Sequence, residues 1–179
     1  MLSTGLDSRV ATALNATKNE GTLSVMPRKV VLVTGGFDPL HRGHVAYFQA
    51  ANAIGDVLIV GLNSDEWLDR KKGKRFMDLE DRLVIVDALK YVDGVLTFSD
   101  DDNTAIEAIK KCLVDFPDAE VIFANGGDRT LDNIPEMVVE SERLHFVFGV
   151  GGEDKKNSSS WILNRYKEKT TNDKGTEED

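Results

Sequence analysis

Short apolar runs rich in β-branched residues alternate along the chain with segments of helical periodicity. The runs predict strands at residues 29–34, 56–62, 94–98, 120–124 and 144–148, and the periodic segments predict helices at 45–54, 79–90, 104–114, 135–143 and 158–166. Continuous stretches such as Val30–Val33 are typical of strands covered on both faces. The alternation predicts an α/β fold, a three-layer sandwich with a mostly parallel five-stranded sheet and right-handed crossovers.

Both ends of the chain differ from this pattern. Residues 1–27 are rich in small and polar residues with little sustained periodicity, which predicts a flexible leader. Residues 167–179 contain no aliphatic residue and are expected to form a disordered tail. The remaining residues, 28–166, are predicted to form the working domain, and their number is usual for one domain.

The charge balance limits the class of partner. Lys+Arg number 22 and Asp+Glu number 31, a net charge of -9, so a general attraction to nucleic acid or to an anionic membrane is not expected. An anionic ligand would need a local cluster of positive groups. The lone Cys112 excludes an internal disulfide, and no apolar run approaches the ~18 residues of a membrane helix, so a cytoplasmic protein is predicted.

The segment after the first predicted strand carries the strongest chemical signal. Parallel sheets bind ligands beyond the carboxyl ends of their strands, where loops lead into helix N-termini. Here the paired Gly35 and Gly36 allow close approach of the backbone to a ligand, and His41 and His44 follow three residues apart at a helix start. The two imidazoles can face one point beside the positive end of the helix dipole. This arrangement suits an anion such as phosphate.

The stretch Gly36–His44, read as GFDPLHRGH, together with Gly35 before it resembles the GxFDxxHxGH signature of the cytidylyltransferase-like nucleotidyltransferases, and the resemblance extends over residues 29–166. Within that family it is strongest to the adenylyltransferase half of ADP-heptose synthases, with glycerol-3-phosphate cytidylyltransferases second. The resemblance implies a Rossmann-like fold. It also implies transfer of a nucleoside monophosphate from a nucleoside triphosphate, ATP before CTP, to a phosphorylated small molecule such as heptose 1-phosphate, with release of pyrophosphate.

Such a transfer needs no protein nucleophile, because the acceptor phosphate is itself anionic and can attack the α-phosphorus in line. The protein must offset repulsion between anions and stabilise the charge of the transition state. The resemblance implies that His41 and His44 are catalytic donors to the triphosphate, which Mg²⁺ would accompany. No protein ligand set for a metal is evident in the sequence.

The segment after the second predicted strand carries five positive side chains in an otherwise acidic protein. It resembles the mobile basic loop of the family, in which one lysine contacts the transferred phosphate. Lys72 aligns with that lysine, although Lys71 and Lys74 stay open, and Arg82 aligns with an arginine that binds the acceptor or the triphosphate. Arg75 is a weaker candidate for the acceptor.

The resemblance implies that further residues hold the nucleotide. They lie in the first loop, in a GGD sequence after the fourth strand and at the start of the last helix. They are Gly35, Gly36, Phe37, Asp38, Gly43, Gly126, Gly127, Asp128, Ser158, Ser159 and Ser160. Asp128 could accept hydrogen bonds or orient a cation, and Arg129 is a second candidate for binding phosphate on the acceptor.

Two alternatives stay open. A glycerol-3-phosphate-type cytidylyltransferase shares these motifs, and a nucleotide-sensing module could keep the same pocket without turnover. Intact His41, His44, Lys72 and Arg82 favour an enzyme, because a sensor could lose any of them. Enzymes of this group often form dimers, so a homodimer is compatible with the resemblance.

Overall fold

The computed structural model describes residues 28–127, 129–130, 132–152 and 158–165. The expected leader and tail, residues 1–27 and 167–179, lie outside this part of the chain. The elements in chain order are β1 (Lys29–Gly35), α1 (Arg42–Asn52), β2 (Val57–Leu62), α2 (Asp65–Lys72), α3 (Leu79–Asp87), β3 (Gly94–Thr97), α4 (Ile106–Asp115), β4 (Glu120–Ala124), a 3₁₀ turn (Pro135–Val138), β5 (Leu144–Val147) and α5 (residues 159–165).

The strands form one parallel sheet in the order β3-β2-β1-β4-β5. The central strand β1 pairs with β2 on one side, where Val30 faces Val57, and with β4 on the other, where Leu32 faces Phe123. Because the chain reverses its direction of winding at β1, a crevice forms at the carboxyl ends of β1 and β4. The predicted α/β sandwich and its five strands are confirmed.

Two apolar layers cover the sheet. One packs against α1 and α3 and includes Phe48 and Val86, while the other packs against α4 and includes Ile109 and Cys112. The alternating side chains of β1 divide between them, Val31 into the first layer and Leu32 into the second. Burial on both faces explains why the strands are continuous apolar runs.

The segment expected to be a basic loop contains a helix, α2. Ser64 caps it by accepting a hydrogen bond from the Trp67 N–H at 3.0 Å, and it ends at Gly73, whose φ of 81° is left-handed. Leu68 is its one buried residue. The apolar periodicity that reveals an amphipathic helix is therefore missing from this stretch of the sequence.

The helix predicted over residues 135–143 is reduced to one 3₁₀ turn, Pro135–Val138. Met137 and Val138 are exposed there, so the apolar residues that suggested a helix do not form a face against the core. None of the helices in the described part of the chain has the length and apolar character that a membrane-spanning helix requires.

Candidate active site

The loop between β1 and α1 places two histidines in contact. His41 is the N-cap of α1, and its Nδ1 accepts a hydrogen bond from the Gly43 N–H at 3.1 Å. His44 Nδ1 accepts a hydrogen bond from the His41 N–H at 3.3 Å, which completes a capping box. The two rings stack with centroids 3.8 Å apart and planes inclined by 21°. The expectation that both imidazoles face one region is met.

These hydrogen bonds determine where the ring protons lie. Because both Nδ1 atoms accept from backbone N–H groups, each neutral ring carries its proton on Nε2 and can donate from there. Burial, the neighbouring His41 and the charge on Lys72 lower the pKa of His44 to about 3. Burial and Lys72 also lower the pKa of His41. Both rings are therefore neutral hydrogen-bond donors near pH 7.

The glycines of this loop are required by packing. A Cβ on Gly36 would lie 2.6 Å from the Leu68 Cδ2 of α2. Phe37 adopts a φ of 48°, is buried, and makes edge contacts with the rings of His44 and Phe48. The loop is consequently held between the core and α2, with its backbone at the crevice.

Lys72 is the lysine that reaches the crevice. Its ammonium donates to the Asp38 carbonyl at 2.7 Å, and its pKa is lowered by burial, an effect that Asp38 opposes. Lys71 instead lies over the Trp67 ring at 5.1 Å, and Lys74 lines a separate surface hollow. Of the three lysines left open by the sequence, the structure brings only Lys72 to the histidines.

Arg82 does not reach the crevice. The residue is 1% exposed, and its guanidinium donates to the carbonyls of Gly36, Asn63 and Met77 and to the Asp65 carboxylate at 2.7 Å. It therefore ties α3 to the ends of β1 and β2 and to the start of α2. Its donors are engaged within the protein, and the expected direct contact with a ligand stays a prediction.

Asp38 and Arg75 also lie away from the crevice. The Asp38 carboxylate is buried and accepts hydrogen bonds from the backbone N–H groups of Phe76 and Met77 at 2.7 and 2.9 Å. Arg75 forms ion pairs with Asp65, Asp69 and Asp78. Both side chains are engaged in fixing the chain after α2, and their expected contacts with nucleotide and acceptor stay predictions.

The opposite wall comes from β4, the turn after β5 and α5. A Cβ on Gly126 would lie 3.0 Å from the Tyr47 ring, whose hydroxyl donates to the Ala124 carbonyl at 2.6 Å. Burial raises the pKa of Tyr47, so the phenol stays protonated. Ser159 Oγ donates to the Pro39 carbonyl at 3.0 Å, which attaches α5 to the histidine loop. Asp128 lies outside the described residues.

These parts enclose a cavity of about 500 Å³, within the range of small-molecule sites. Most residues predicted for the site line it: Gly35, Gly36, Phe37, His41, Gly43, His44, Lys72, Gly126, Gly127, Arg129, Ser158, Ser159 and Ser160. Sequence reasoning missed several others, namely Thr34, Tyr47, Asn63, Trp67, Asn103, Thr104, Ala105, Asn125 and Glu136. Position after a parallel strand was the signal available for Asn63 and Asn125. Glu136 carried no signal.

A parallel sheet with neutral imidazole donors at its switch point, and with serines of a second helix lining the same cavity, is the arrangement expected of a nucleotidyltransferase. The model of the cytidylyltransferase-like family matches residues 32–168. The chain therefore belongs to the cytidylyltransferase-like family.

Individual relatives agree with this assignment. The chain is 37% identical to the bifunctional protein HldE of Geobacter sulfurreducens over 146 residues, which cover 79% of this chain and 28% of the relative. It is 36% identical over 156 residues to the HldE protein of Helicobacter pylori, and the match covers 85% of this chain and 30% of the relative. The chain thus spans under a third of the length of these relatives.

A solved structure is also similar. It is the lipopolysaccharide core biosynthesis protein of Thermoplasma volcanium, which has a TM-score of 0.50 at 25% identity and is matched over 68% of this chain and 95% of that one.

Proposed function

We propose that the chain transfers AMP from ATP to a sugar 1-phosphate, such as heptose 1-phosphate, and releases pyrophosphate. The observation that carries the proposal is the pair of stacked, neutral imidazoles with Lys72 in one cavity. The similarity to the HldE proteins favours an adenylyl over a cytidylyl donor. The similarity to a lipopolysaccharide core biosynthesis protein supports a sugar acceptor.

The proposed chemistry is a single displacement. An oxygen of the acceptor phosphate forms a bond to the α-phosphorus of ATP while the bond from that phosphorus to the bridging oxygen breaks, and the electron pair leaves with pyrophosphate. No protein nucleophile is required. Nε2–H groups of His41 and His44 would donate to triphosphate oxygens, and the Lys72 ammonium would offset the charge that grows on them.

The wall of the cavity formed by the histidine loop is suited to this task because its donors are fixed before a ligand arrives. The Nδ1 of each histidine is already held by a backbone N–H, so each ring needs no reorientation to present Nε2. Gly126 and Ser158–Ser160 would receive the nucleoside and the outer phosphates on the opposite wall.

Mg²⁺ is proposed to enter with the triphosphate, whose charge it neutralises. Among the described residues, no group of three or more His, Cys, Asp or Glu side chains could hold a metal ion. Asp38 in particular already accepts two backbone hydrogen bonds with its carboxylate oxygens. Phosphate oxygens and water would be among the ligands of the ion.

A pyrophosphate-release assay tests the proposal. The purified chain is assayed with ATP and CTP, each paired with heptose 1-phosphate, mannose 1-phosphate, glycerol 3-phosphate and phosphocholine. ATP with a sugar 1-phosphate is expected to be the fastest pair. A preference for CTP with glycerol 3-phosphate would establish the cytidylyltransferase alternative instead. Nucleotide binding by calorimetry with no pyrophosphate from any pair would indicate a sensing module.

A further inference from the structure

The cavity extends over both faces of the sheet. Phe37, Tyr47 and Val150 line it and belong to the apolar layer beneath α1. Ala105 and Phe123 also line it but belong to the layer beneath α4. The lining of this one cavity therefore comes from both layers, and we call the part beside α1 and the part beside α4 its two lobes.

The lobe beside α1 contains the groups suited to a nucleoside triphosphate. Gly126 abuts Tyr47 there, and Ser159 is bonded to the histidine loop. The lobe beside α4, which we name the acceptor lobe, is formed by Asn103–Ala105, Arg129 and Glu136. It is the part of the cavity that the proposed triphosphate site leaves open.

Glu136 is the unusual residue of the acceptor lobe. It lines the cavity although it is only 4% exposed. Its Oε1 accepts a hydrogen bond from the Ala105 N–H at 2.7 Å. Its Oε2 is buried without a hydrogen-bond partner in the part of the chain that the structure describes, and Arg129 Nη1 lies 4.0 Å away. A buried carboxylate oxygen without a donor is costly, and native proteins retain few of them.

We propose that Glu136 determines acceptor specificity, with Oε2 accepting a hydrogen bond from a hydroxyl group of a sugar or polyol phosphate. The proposal rests on the proposed function and names the chemistry of its second substrate. Hydrogen bonds from hydroxyls to a carboxylate are short and strong, so one such contact would satisfy the oxygen that accepts no hydrogen bond from the described residues.

The neighbouring charge argues against a cationic acceptor. An ammonium group would also be attracted to a carboxylate, but the Arg129 guanidinium is already within 4.0 Å of the same oxygen. A second cation there would be repelled by the first. A neutral hydroxyl donor meets no such repulsion. The acceptor lobe thus favours glycerol or sugar phosphates over phosphocholine.

The variant Glu136→Gln tests the proposal. Its amide oxygen can still accept from the Ala105 N–H, while its NH₂ group replaces the oxygen that would accept from the substrate. With the fastest polyol phosphate of the assay above, the acceptor KM is expected to rise on the order of ten- to a hundredfold. The KM for ATP and the midpoint of thermal unfolding should stay unchanged. Glu140→Gln, an equal change of charge at an exposed position, should leave both KM values unchanged.

Three results would overturn the assignment. The acceptor KM of Glu136→Gln could equal that of the wild type, or it could rise together with the KM for ATP, as a purely structural role would require. Should the variant fail to fold, the wild type still decides, because equal use of phosphocholine and a polyol phosphate would contradict the proposal.

A binding measurement separates this inference from the proposed function. Calorimetric titration of mannose 1-phosphate onto protein saturated with a non-cleavable ATP analogue measures the acceptor lobe without turnover. Weaker binding to Glu136→Gln supports the role of Glu136 even if no pair yields pyrophosphate, and equal binding contradicts it even if turnover is observed.

Discussion

At the scale of residues, the arrangement of His41 and His44 determines how the site can act. Stacking at 3.8 Å and burial disfavour a positive charge on either ring, and the adjacent Lys72 adds to this effect. Fixed neutral donors of this kind can stabilise a developing charge, but they are poorly suited to act as general acids near pH 7. Proton transfer by these histidines is therefore not part of the proposed reaction.

Replacing His44 by alanine should remove one such donor. We expect the fold to persist and the rate of pyrophosphate release to fall on the order of 10²–10³-fold. His145→Ala is the matched control, because His145 is exposed on β5 and does not line the cavity. An unchanged rate in His44→Ala would remove this histidine from the mechanism.

The low pKa of His44 also makes stability depend on pH. A histidine in the unfolded chain binds a proton below its ordinary pKa of 6.5, whereas His44 in the folded chain binds one only below about 3. The unfolded state thus binds more protons between these values, and the free energy of unfolding falls as the pH falls. From pH 8 to pH 5 this group should remove about 2 kcal/mol.

Urea denaturation at pH 8 and pH 5 measures this loss. His44→Ala lacks the group, so its stability should decrease by about 2 kcal/mol less than that of the wild type over the same interval. Equal decreases in the two proteins would show that His44 takes up a proton in the folded state near its ordinary pKa.

Lys72→Ala should act mainly on the catalytic step. The ammonium lies beside the histidines and would interact most strongly with charge that grows during transfer, so kcat should fall by at least tenfold while nucleotide affinity changes little. Lys71→Ala is the control, since its ammonium lies over the Trp67 ring. A change confined to the KM for ATP would count against the proposed role of Lys72.

At the scale of elements, sequence patterns predicted the strands that are buried in the core and missed the helix α2, which lies mostly outside the core. The strands were predicted closely because burial on both faces demands continuous apolar runs, as in β2. The helix α2 buries only Leu68, so no periodicity marked it. Its ends were nevertheless visible in Ser64, the acidic first turn and Gly73, a full set of helix boundary signals.

Among the site residues, those that a motif places could be predicted from the sequence, and those placed by contacts of the folded chain could not. His41 and His44 could be predicted because a motif places them on a loop whose position follows from the fold. Arg82 matched a family pattern, but its partners are backbone carbonyls whose positions no sequence shows. Glu136 depends on a contact with Ala105, 31 residues away, between the 3₁₀ turn and the residue that precedes α4. Such contacts follow only from the folded chain.

Arg82 joins α3 to the ends of β1 and β2 and to the start of α2, so its replacement is expected to lower the stability of the fold strongly. Arg82→Met would remove the buried partner of Asp65, leaving it only the longer ion pair with Arg75, and would free three carbonyls, so a loss of about 3 kcal/mol in the free energy of unfolding is expected. Arg70→Met, which changes a half-exposed arginine that contacts Asp100, should cost less than about 1 kcal/mol. Urea titrations measure both, and equal losses would contradict a special role for Arg82.

At the scale of the whole molecule, an acidic protein must attract an anionic substrate locally. The net charge is -9, but Lys72, Arg129 and the two neutral imidazoles concentrate donors in one cavity. Recognition is therefore expected to depend on phosphate groups at short range and little on the long-range field.

Thermal unfolding with and without nucleotide tests this expectation. ATP at about 100 times its Kd should stabilise the protein by about 2.7 kcal/mol and raise the unfolding midpoint. Adenosine at the same concentration should have little effect, because it lacks the phosphates that the donors would bind. An equal shift by adenosine would mean that the base and ribose provide the affinity.

The bond from Ser159 Oγ to the Pro39 carbonyl joins residues 120 positions apart. Since all five described strands precede residue 158, a ribosome could release the whole sheet before the serines emerge. At that stage the nascent chain would lack both this bond to the histidine loop and the serines proposed to receive the outer phosphates.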